Sequence, residues 1–315
     1  MPEPDLTPRQ AEILDRVVDP GGERPTFPEA IAHRLREELE AGLLEVAGAL
    51  DDGDSLFVGK QVIHAAHTCE GLAYARDYER FRWSLANARG TLSHRGVQRM
   101  IGSGYSIAPL DAVRGVLADL MSDDDDRTGL GAFLQGLSEG TRAELGAEVA
   151  DAVSKFAMDW PRVGAAWLPR VETSMRVTCC EGRVTFSGKA DLALFRPRGS
   201  RAGTLIVDLK SGGEHDRNLY DVRFYALLET FVRRVPPFRI AVHYLDSGDT
   251  PTLDVTEDLL RSEVRRVLDG VRKYQSARTK RLDALERTPS GLCPYCPLFG
   301  DCEPGRTHHR ERSEL

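Results

Sequence analysis

Residues 184 to 212 read VTFSGKADLALFRPRGSRAGTLIVDLKSG, and this stretch decides the fold. Two segments rich in alternating and β-branched residues, 183–195 and 203–209, flank a connection that contains proline and glycine. The pattern predicts two neighbouring β-strands joined by a hairpin-like turn. Asp191 stands in the first strand, Asp208 ends the apolar run of the second, and Lys210 follows two residues later.

These three polar residues suit metal-assisted chemistry on a phosphate. Side chains alternate along a strand, so Asp208 and Lys210 share one face. Carboxylates on adjacent strands can share Mg²⁺ or Mn²⁺, which activates water and polarises a phosphate, while a lysine stabilises charge on the phosphate oxygens. The alternative is that Asp191 and Asp208 are ordinary strand-end residues. An uncompensated charge at the end of a buried strand is costly, which favours a paired site.

Working outward from the hairpin, the chain divides into four regions. The core is predicted over 161–305 as α+β, with a mixed central sheet flanked by helices in the order β-β-β-α-β-β-α. Its strands are predicted at 168–178, 183–195, 203–209, 238–245 and 252–255, and its helices at 219–232 and 257–285. The other regions are a helical extension (1–59), a helical region with an insert near 110–158 (60–160), an acidic loop within it (122–126), and a polar, frayed tail (306–315).

Composition limits the classes of protein that fit. The 315 residues, 41% of them hydrophobic, suffice for a sizeable core. No stretch approaches the roughly 20 apolar residues of a membrane span, and residues 1–6 lack a secretory pattern, so we expect a soluble cytoplasmic protein. Net charge is −7, from 42 basic and 49 acidic residues, so affinity for nucleic acid would have to come from local basic surface.

The carboxyl-terminal helix supplies a candidate for such a surface. Its basic residues alternate with acids, so a phosphate-binding stripe and a solvated helix face both remain open. They are Arg261, Arg265, Arg266, Arg272, Lys273, Arg278, Lys280 and Arg281.

The motifs resemble those of the PD-(D/E)XK nucleases, in particular the RecB-like branch, over roughly residues 60–305. That branch shows Gly-x-x-Asp, then Asp/Glu-x-Lys, then a helix with Gln-x-x-x-Tyr. This chain has Gly188-x-x-Asp191, Asp208-x-Lys210 and Asp221-x-x-x-Tyr225, with aspartate where glutamine is common. The resemblance implies a restriction-endonuclease-like fold, metal-ligand roles for Asp191, Asp208 and Leu209, a catalytic Lys210, and Tyr225 near the site.

The resemblance also implies a histidine ligand on an upstream helix. His94 in Gly90-Thr-Leu-Ser-His94 fits, with Ser93 predicted as the helix cap. Glu172 on the first core strand matches an acid often found in the superfamily and would support the metal, or would simply face solvent. His64 and His67, one helical turn apart, could bind metal together or pack within the helix.

The six cysteines suggest a second centre, since a cytosolic chain of this size does not need disulfides. Cys293, Cys296 and Cys302 form C-x2-C-x5-C and could ligate one metal centre with a fourth ligand. The adjacent Cys179 and Cys180 are predicted to face opposite sides of a strand, as core and surface residues.

A lone upstream cysteine followed by such a cluster resembles AddB-type recombination nucleases and CRISPR adaptation nucleases. The resemblance implies that Cys69, Cys293, Cys296 and Cys302 bind a structural [4Fe–4S] cluster, with zinc as the rival occupant. It implies a Mg²⁺- or Mn²⁺-dependent deoxyribonuclease acting on single-stranded or end-containing DNA in repair, recombination or defence.

Two alternatives to an autonomous nuclease follow from the sequence. A catalytically inactive nucleic-acid-binding or scaffold subunit would keep the fold, but would not need Asp191, Asp208 and Lys210. The run from Gly53 to Lys60 resembles a phosphate loop, but its spacing is one residue too long and Gln61 replaces Ser or Thr. Any helicase motor must therefore come from a partner protein.

Overall fold

The computed structural model describes residues 6–77, 81–123 and 126–314. Residues 1–5, and Asp124 and Asp125 of the predicted acidic loop, lie outside the described residues. The described helices are α1 Pro8–Val17, α2 Ile31–Gly48, α3 Lys60–Thr68, α4 Glu70–Ala75, α5 Leu85–Gly102, α6 Pro109–Ser122, α7 Leu130–Gln135, α8 Glu139–Asp159, α9 Arg217–Arg233, α10 Glu257–Thr279 and α11 Glu303–Ser313. The described strands are β1 Leu56–Val58, β2 Arg170–Cys179, β3 Val184–Leu194, β4 Leu205–Lys210, β5 Arg239–Tyr244 and β6 Thr252–Asp254.

The six strands form one mixed sheet around β3. One edge of β3 pairs with the antiparallel β2 along nearly all of its length. The other edge pairs with the parallel β1 at its start and with the antiparallel β4 at its end. Beyond β4 the sheet continues with β5, parallel to β4, and then β6, antiparallel to β5. The stretch of β3 between β1 and β4 is therefore free to present side chains to a site.

Helices bury both the sheet and one another. The crossover helix α9 packs on β2, β3 and β5, and α10 packs on α9 and on the amino-terminal helices α2, α3 and α4. Helices α5, α6 and α8 form a separate three-helix layer. The apolar residues of all these elements join in one continuous core, which extends from Ile13 to Leu285. No helix in the described ranges combines the length and apolar character that a membrane span requires.

The predicted order of the α+β core is confirmed, because β2-β3-β4-α9-β5-β6-α10 follows it element by element. Two local predictions are wrong. Residues 56–58, in the extension predicted to be helical, form a strand of the core sheet, and the tail predicted to fray forms α11. The predicted helical region at 60–102 contains three helices, α3, α4 and α5. The strand was missed because its three residues are too few to show a period.

Candidate active site

The two acids of the hairpin lie side by side where β3 and β4 separate. Leu192 pairs with Val207, so Asp191 and Asp208 are the next residues along the two antiparallel strands. Both carboxylates are buried, with 7% and 2% of the residue exposed. Asp191 Oδ2 accepts a hydrogen bond from the backbone N–H of Leu209 at 2.7 Å, which ties the carboxylate of one strand to the backbone of the other.

Lys210 folds back over Asp208, as their shared strand face predicts. Its Nζ lies 2.6 Å from Asp208 Oδ2 and donates to Asp221 Oδ2 at 3.0 Å. Asp221, which stands in place of the common glutamine, is thus part of the site as the second carboxylate partner of the lysine. Burial opposes the charged form of Lys210, but Asp208 and Asp221 together outweigh it and raise the pKa of the ammonium group, which stays protonated.

A second lysine reaches the same carboxylates from the start of α3. Lys60 Nζ lies 3.1 Å from Asp221 Oδ2, 3.6 Å from Asp208 Oδ1 and 4.9 Å from the centre of the Tyr225 ring. Burial disfavours its charge, yet Asp208 and Asp221 raise the pKa of Lys60. The sequence drew attention to Lys60 only through a phosphate-loop resemblance, and no local signal connects it to residues about 150 positions away.

His94 lies against Asp191, with its Nδ1 3.0 Å from Asp191 Oδ1. Burial disfavours the charged imidazole, but the charge and hydrogen bond of Asp191 raise the pKa of His94. The predicted cap at Ser93 is wrong. Helix α5 begins after Ser84, whose hydroxyl accepts from the N–H of Asn87, and Ser93 is a buried mid-helix residue whose hydroxyl donates to Arg89 O at 2.8 Å. His94 therefore lies in the middle of a helix, which holds it more firmly than a first turn would.

Burial and charge act in opposite directions on the paired acids. Burial raises the pKa of Asp191, but the neighbouring His94 outweighs it and the net shift is downward. Burial raises the pKa of Asp208 despite the two lysines beside it. A desolvated carboxylate of this kind gains from a further cation, which is the electrostatic requirement of a metal ligand.

Glu172 lies near this group but has its own partners. Its carboxylate accepts from Gln98 Nε2 at 2.7 Å and pairs with Lys189. Gln98 follows His94 by one turn of α5, so Glu172 braces the histidine helix rather than contacting the paired acids directly. Its φ of +49° is rare for a residue other than glycine and marks a local distortion of β2 opposite Asp191.

Gly188 and Tyr225 contact each other directly, and the contact requires glycine at position 188. A Cβ on Gly188 would lie 2.9 Å from Tyr225 Cε1 and 3.0 Å from Leu228 Cδ1. The tyrosine ring therefore packs directly on the backbone of β3, under Lys60. Tyr225 is buried, and burial raises the pKa of its hydroxyl, so the ring supports the site as a neutral group.

The four cysteines singled out by the sequence lie around one small cavity. Cys69, Cys293, Cys296 and Cys302 all contribute to its wall. A Cβ on Gly305, also in the wall, would come within 3.4 Å of the sulfurs of Cys293 and Cys302, so only glycine leaves that space open. Within the ranges that the structure describes, no three His, Cys, Asp or Glu side chains are grouped as ligands of a single metal ion.

The remaining two cysteines lie elsewhere. Cys179 is buried at the end of β2, and burial raises the pKa of its thiol to about 12. Cys180 was predicted to lie on the strand surface. It instead begins a turn at φ +49°, where it is half-buried and its thiol donates to Glu40 O at 3.8 Å. Neither residue lines the four-cysteine cavity.

Comparison with known proteins agrees with this geometry. Residues 61–303, most of the chain, match the PD-(D/E)XK nuclease superfamily, and the chain belongs to that superfamily. No curated protein matches the chain. A solved structure titled "Crystal structure of SSO0001" is 12% identical, with 87% of this chain and 97% of that chain covered and a TM-score of 0.34. A likeness this distant assigns no function.

Proposed function

We propose that this member of the PD-(D/E)XK nuclease superfamily is a Mg²⁺- or Mn²⁺-dependent deoxyribonuclease. The observation that carries the proposal is a set of contacts at the gap between β3 and β4, in which His94 pairs with Asp191, Asp191 accepts from the N–H of Leu209, and Lys210 pairs with Asp208. The ligands would be the two carboxylates, His94 and the backbone carbonyl of Leu209, whose side chain is buried. A bound cation would polarise the scissile phosphate and lower the pKa of an attacking water.

The protein groups would divide the remaining work. Lys210, held by Asp208 and Asp221, would orient the water and stabilise negative charge on the phosphate oxygens. Lys60, on the opposite side of Asp221, offers a second positive charge to the same phosphate. Tyr225 would position Lys60 through its ring rather than by proton transfer. Glu172 would act indirectly: it accepts a hydrogen bond from Gln98 and so would fix the position of the helix that carries His94.

The test is the Lys210→Ala variant, which should abolish cleavage of linear and circular DNA while the circular dichroism spectrum and melting curve remain close to those of the wild type. Lys155→Ala, at an exposed lysine of α8, is the matched control and should cleave at the wild-type rate. Full activity in Lys210→Ala would refute the mechanism.

The competing function is an inactive nucleic-acid-binding or scaffold subunit of a helicase–nuclease or defence complex. Calorimetric titration with Mg²⁺ and Mn²⁺ separates the two. A nuclease site should bind the cation in the wild type and lose it in Asp208→Asn, whereas a scaffold shows no Asp208-dependent binding and no cleavage.

We further propose that the four-cysteine cavity holds a [4Fe–4S] cluster, as in the AddB-like group of the RecB-like branch. The support is that four thiols from two distant segments line one cavity kept open by Gly305. Each thiolate of such a cluster binds a different iron, so the four sulfurs need not converge on one point as they do around zinc. Its role would be structural, as a staple between Cys69 and the carboxyl-terminal segment.

Anaerobic purification with iron, sulfide and zinc assays and a visible spectrum tests the cluster. We expect about four irons and four sulfides per chain, lost in Cys296→Ser and retained in the control Cys180→Ser. Stoichiometric zinc without iron would establish the rival occupant.

The expected partner is DNA, as a single strand or as a duplex with ends, with a helicase supplied in trans. Comparison of end-labelled linear DNA with closed circular DNA would reveal whether an end is required. Unwinding activity from the isolated chain would contradict the need for a separate motor.

A further inference from the structure

A basic cavity of about 350 Å³ lies beside the active site, between α3, α9 and α10. The side chains of its wall can bind anions, donate hydrogen bonds or stack on a base. They are His64, His67, Thr68, Arg217, Tyr220 and Arg266. None of these residues has a part in the metal site described above.

The cavity is connected to the active site through two helices. His64 lies four residues after Lys60 on α3, so the two side chains share a helix face and are about 6 Å apart along the axis. Tyr220 immediately precedes Asp221 on α9, and Arg217 lies one turn before Asp221. A DNA strand that places one phosphate against Lys60 and Lys210 would therefore reach the cavity with a neighbouring phosphate.

The cavity carries unbalanced positive charge. Arg217 makes no ion pair with any residue in the described ranges. Arg266 pairs with Glu263, but this fully buried acid is shared with Arg223, so two guanidinium groups face one carboxylate. Asp269 also lies close to the rim, with its Oδ2 3.5 Å from the Nδ1 of His67.

Two polar groups are already arranged for a ligand. The Nε2 atom of His64 is buried and has no hydrogen-bond partner among the described residues. The guanidinium of Arg266 lies over the ring of Tyr220, with its Cζ 4.4 Å from the ring centre. Stacking of this kind limits the rotamers of the arginine, so less conformational entropy is lost when it binds an anion. A guanidinium held in this way is oriented to bind an anion that enters the cavity.

We propose that this cavity is a second phosphate subsite, which binds the phosphate group next to the scissile one on the same DNA strand. The inference rests on the proposed nuclease function. Guanidinium groups recognise phosphate oxygens by paired, charge-assisted hydrogen bonds, and every nucleotide of the substrate supplies such a group. The phosphate can be an internal diester or a terminal monoester, and the substrate determines which.

The experiment measures binding of short fluorescent single-stranded DNA, with a 5′-phosphate or a 5′-hydroxyl, by anisotropy in Ca²⁺ at several salt concentrations. Arg217→Ala should raise Kd at least tenfold and reduce the slope of log Kd against log salt by about one, as expected when one phosphate contact is lost. In Mg²⁺ the same variant should raise KM while kcat stays close to the wild-type value. Arg114→Ala, at an exposed arginine of α6 outside the cavity, is the matched control.

Wild-type affinity and salt slope in Arg217→Ala would overturn the subsite, whether or not the enzyme cleaves DNA. Absence of Mg²⁺-dependent cleavage by the wild type would instead overturn the nuclease proposal, so the two failures are distinguishable. If Arg217→Ala fails to fold, Arg217→Lys keeps the charge without the paired hydrogen bonds and should still weaken binding. If the DNA with a 5′-phosphate binds more tightly than the DNA with a 5′-hydroxyl, the subsite binds a terminal monoester. If the two DNAs bind equally, it binds an internal diester.

Discussion

At the scale of single residues, Lys60 is the largest difference between the site that the sequence motif predicts and the site in the folded protein. The motif Asp208-x-Lys210 supplies one lysine for two acids, but the folded site contains Asp191, Asp208 and Asp221 with two lysines and His94. The negative charge of Asp221, the third carboxylate, is compensated because Lys60 on α3 pairs with it. Asp221 therefore has a defined electrostatic role that the common glutamine could not fill, since a neutral amide would leave two lysines facing fewer charges.

Lys60→Met should lower the rate of DNA cleavage by about tenfold to a hundredfold. The reason is that a charge-assisted contact is worth about 1.5–3 kcal/mol. Lys60→Arg keeps the charge and should recover much of the rate. Single-turnover cleavage measures both, with Lys155→Met as an exposed control. Wild-type rates in Lys60→Met would show that the lysine only balances charge in the resting protein.

Gly188→Ala should destabilise the protein by about 1–3 kcal/mol, because the new methyl group would overlap Tyr225 and Leu228 in a packed core. Urea denaturation gives the free energy of unfolding. The control is Gly140→Ala in α8, where nothing lies within 4 Å of the new Cβ and the helix should gain up to about 1 kcal/mol. Equal stability of the two variants would mean that the tyrosine ring moves aside without cost.

At the scale of elements, β5 and α8 enclose a histidine that must remain neutral. His243 is fully buried and packs edge-on against the stacked rings of Phe156 and Trp160, and its Nδ1 lies 2.9 Å from Thr250 Oγ1. Burial lowers the pKa of His243 to about 3. In the unfolded chain the pKa is about 6.5, so between these two values the unfolded state binds one more proton than the folded state.

The contribution of this histidine to stability is fully present above pH 6.5 and is lost as the pH falls toward 3. From pH 6.5 to 5 the free energy of unfolding should fall by up to about 1.4 kcal/mol per pH unit more in the wild type than in His243→Asn, which keeps a polar partner for Thr250 but does not titrate. Urea denaturation at three pH values measures the difference. Parallel pH profiles of the two proteins would contradict the buried neutral state.

At the scale of the whole molecule, the cysteine cavity joins the start of the helical region to the end of the chain. Its surroundings reinforce the same connection. Glu70, next to Cys69, lies 2.5 Å from Lys280 and accepts from the N–H of Glu286 at 3.0 Å, and Asp77 pairs with Arg278 at 2.7 Å. The nuclease core lies in sequence between the two ends of this connection, so closing it reduces the freedom of the unfolded chain.

Cys69→Ser should therefore impair folding first and activity only as a consequence. We expect a lower melting temperature and faster proteolysis, with cleavage per folded molecule close to the wild-type value. Thermal melts, limited proteolysis and active-site-normalised cleavage test this, with Cys180→Ser as the control outside the cavity. Loss of kcat in a fully folded Cys69→Ser protein would indicate that the proposed cluster acts in the chemistry rather than in folding.

The sequence alone determined the order of the core elements and the hairpin acids, because strand alternation, turn residues and apolar runs are local properties. It also identified Lys210, which lies only two residues from Asp208. The tertiary structure decided what depends on contacts between distant segments: Lys60 and Asp221 around Asp208, the short strand β1 in the sheet, and the basic cavity between α3, α9 and α10. It also corrected the cap of α5, since Ser84 and Ser93 both suit a helix start and only packing selects between them. Local patterns report on neighbours in the chain, whereas this site is assembled from five segments that meet only when the core is buried.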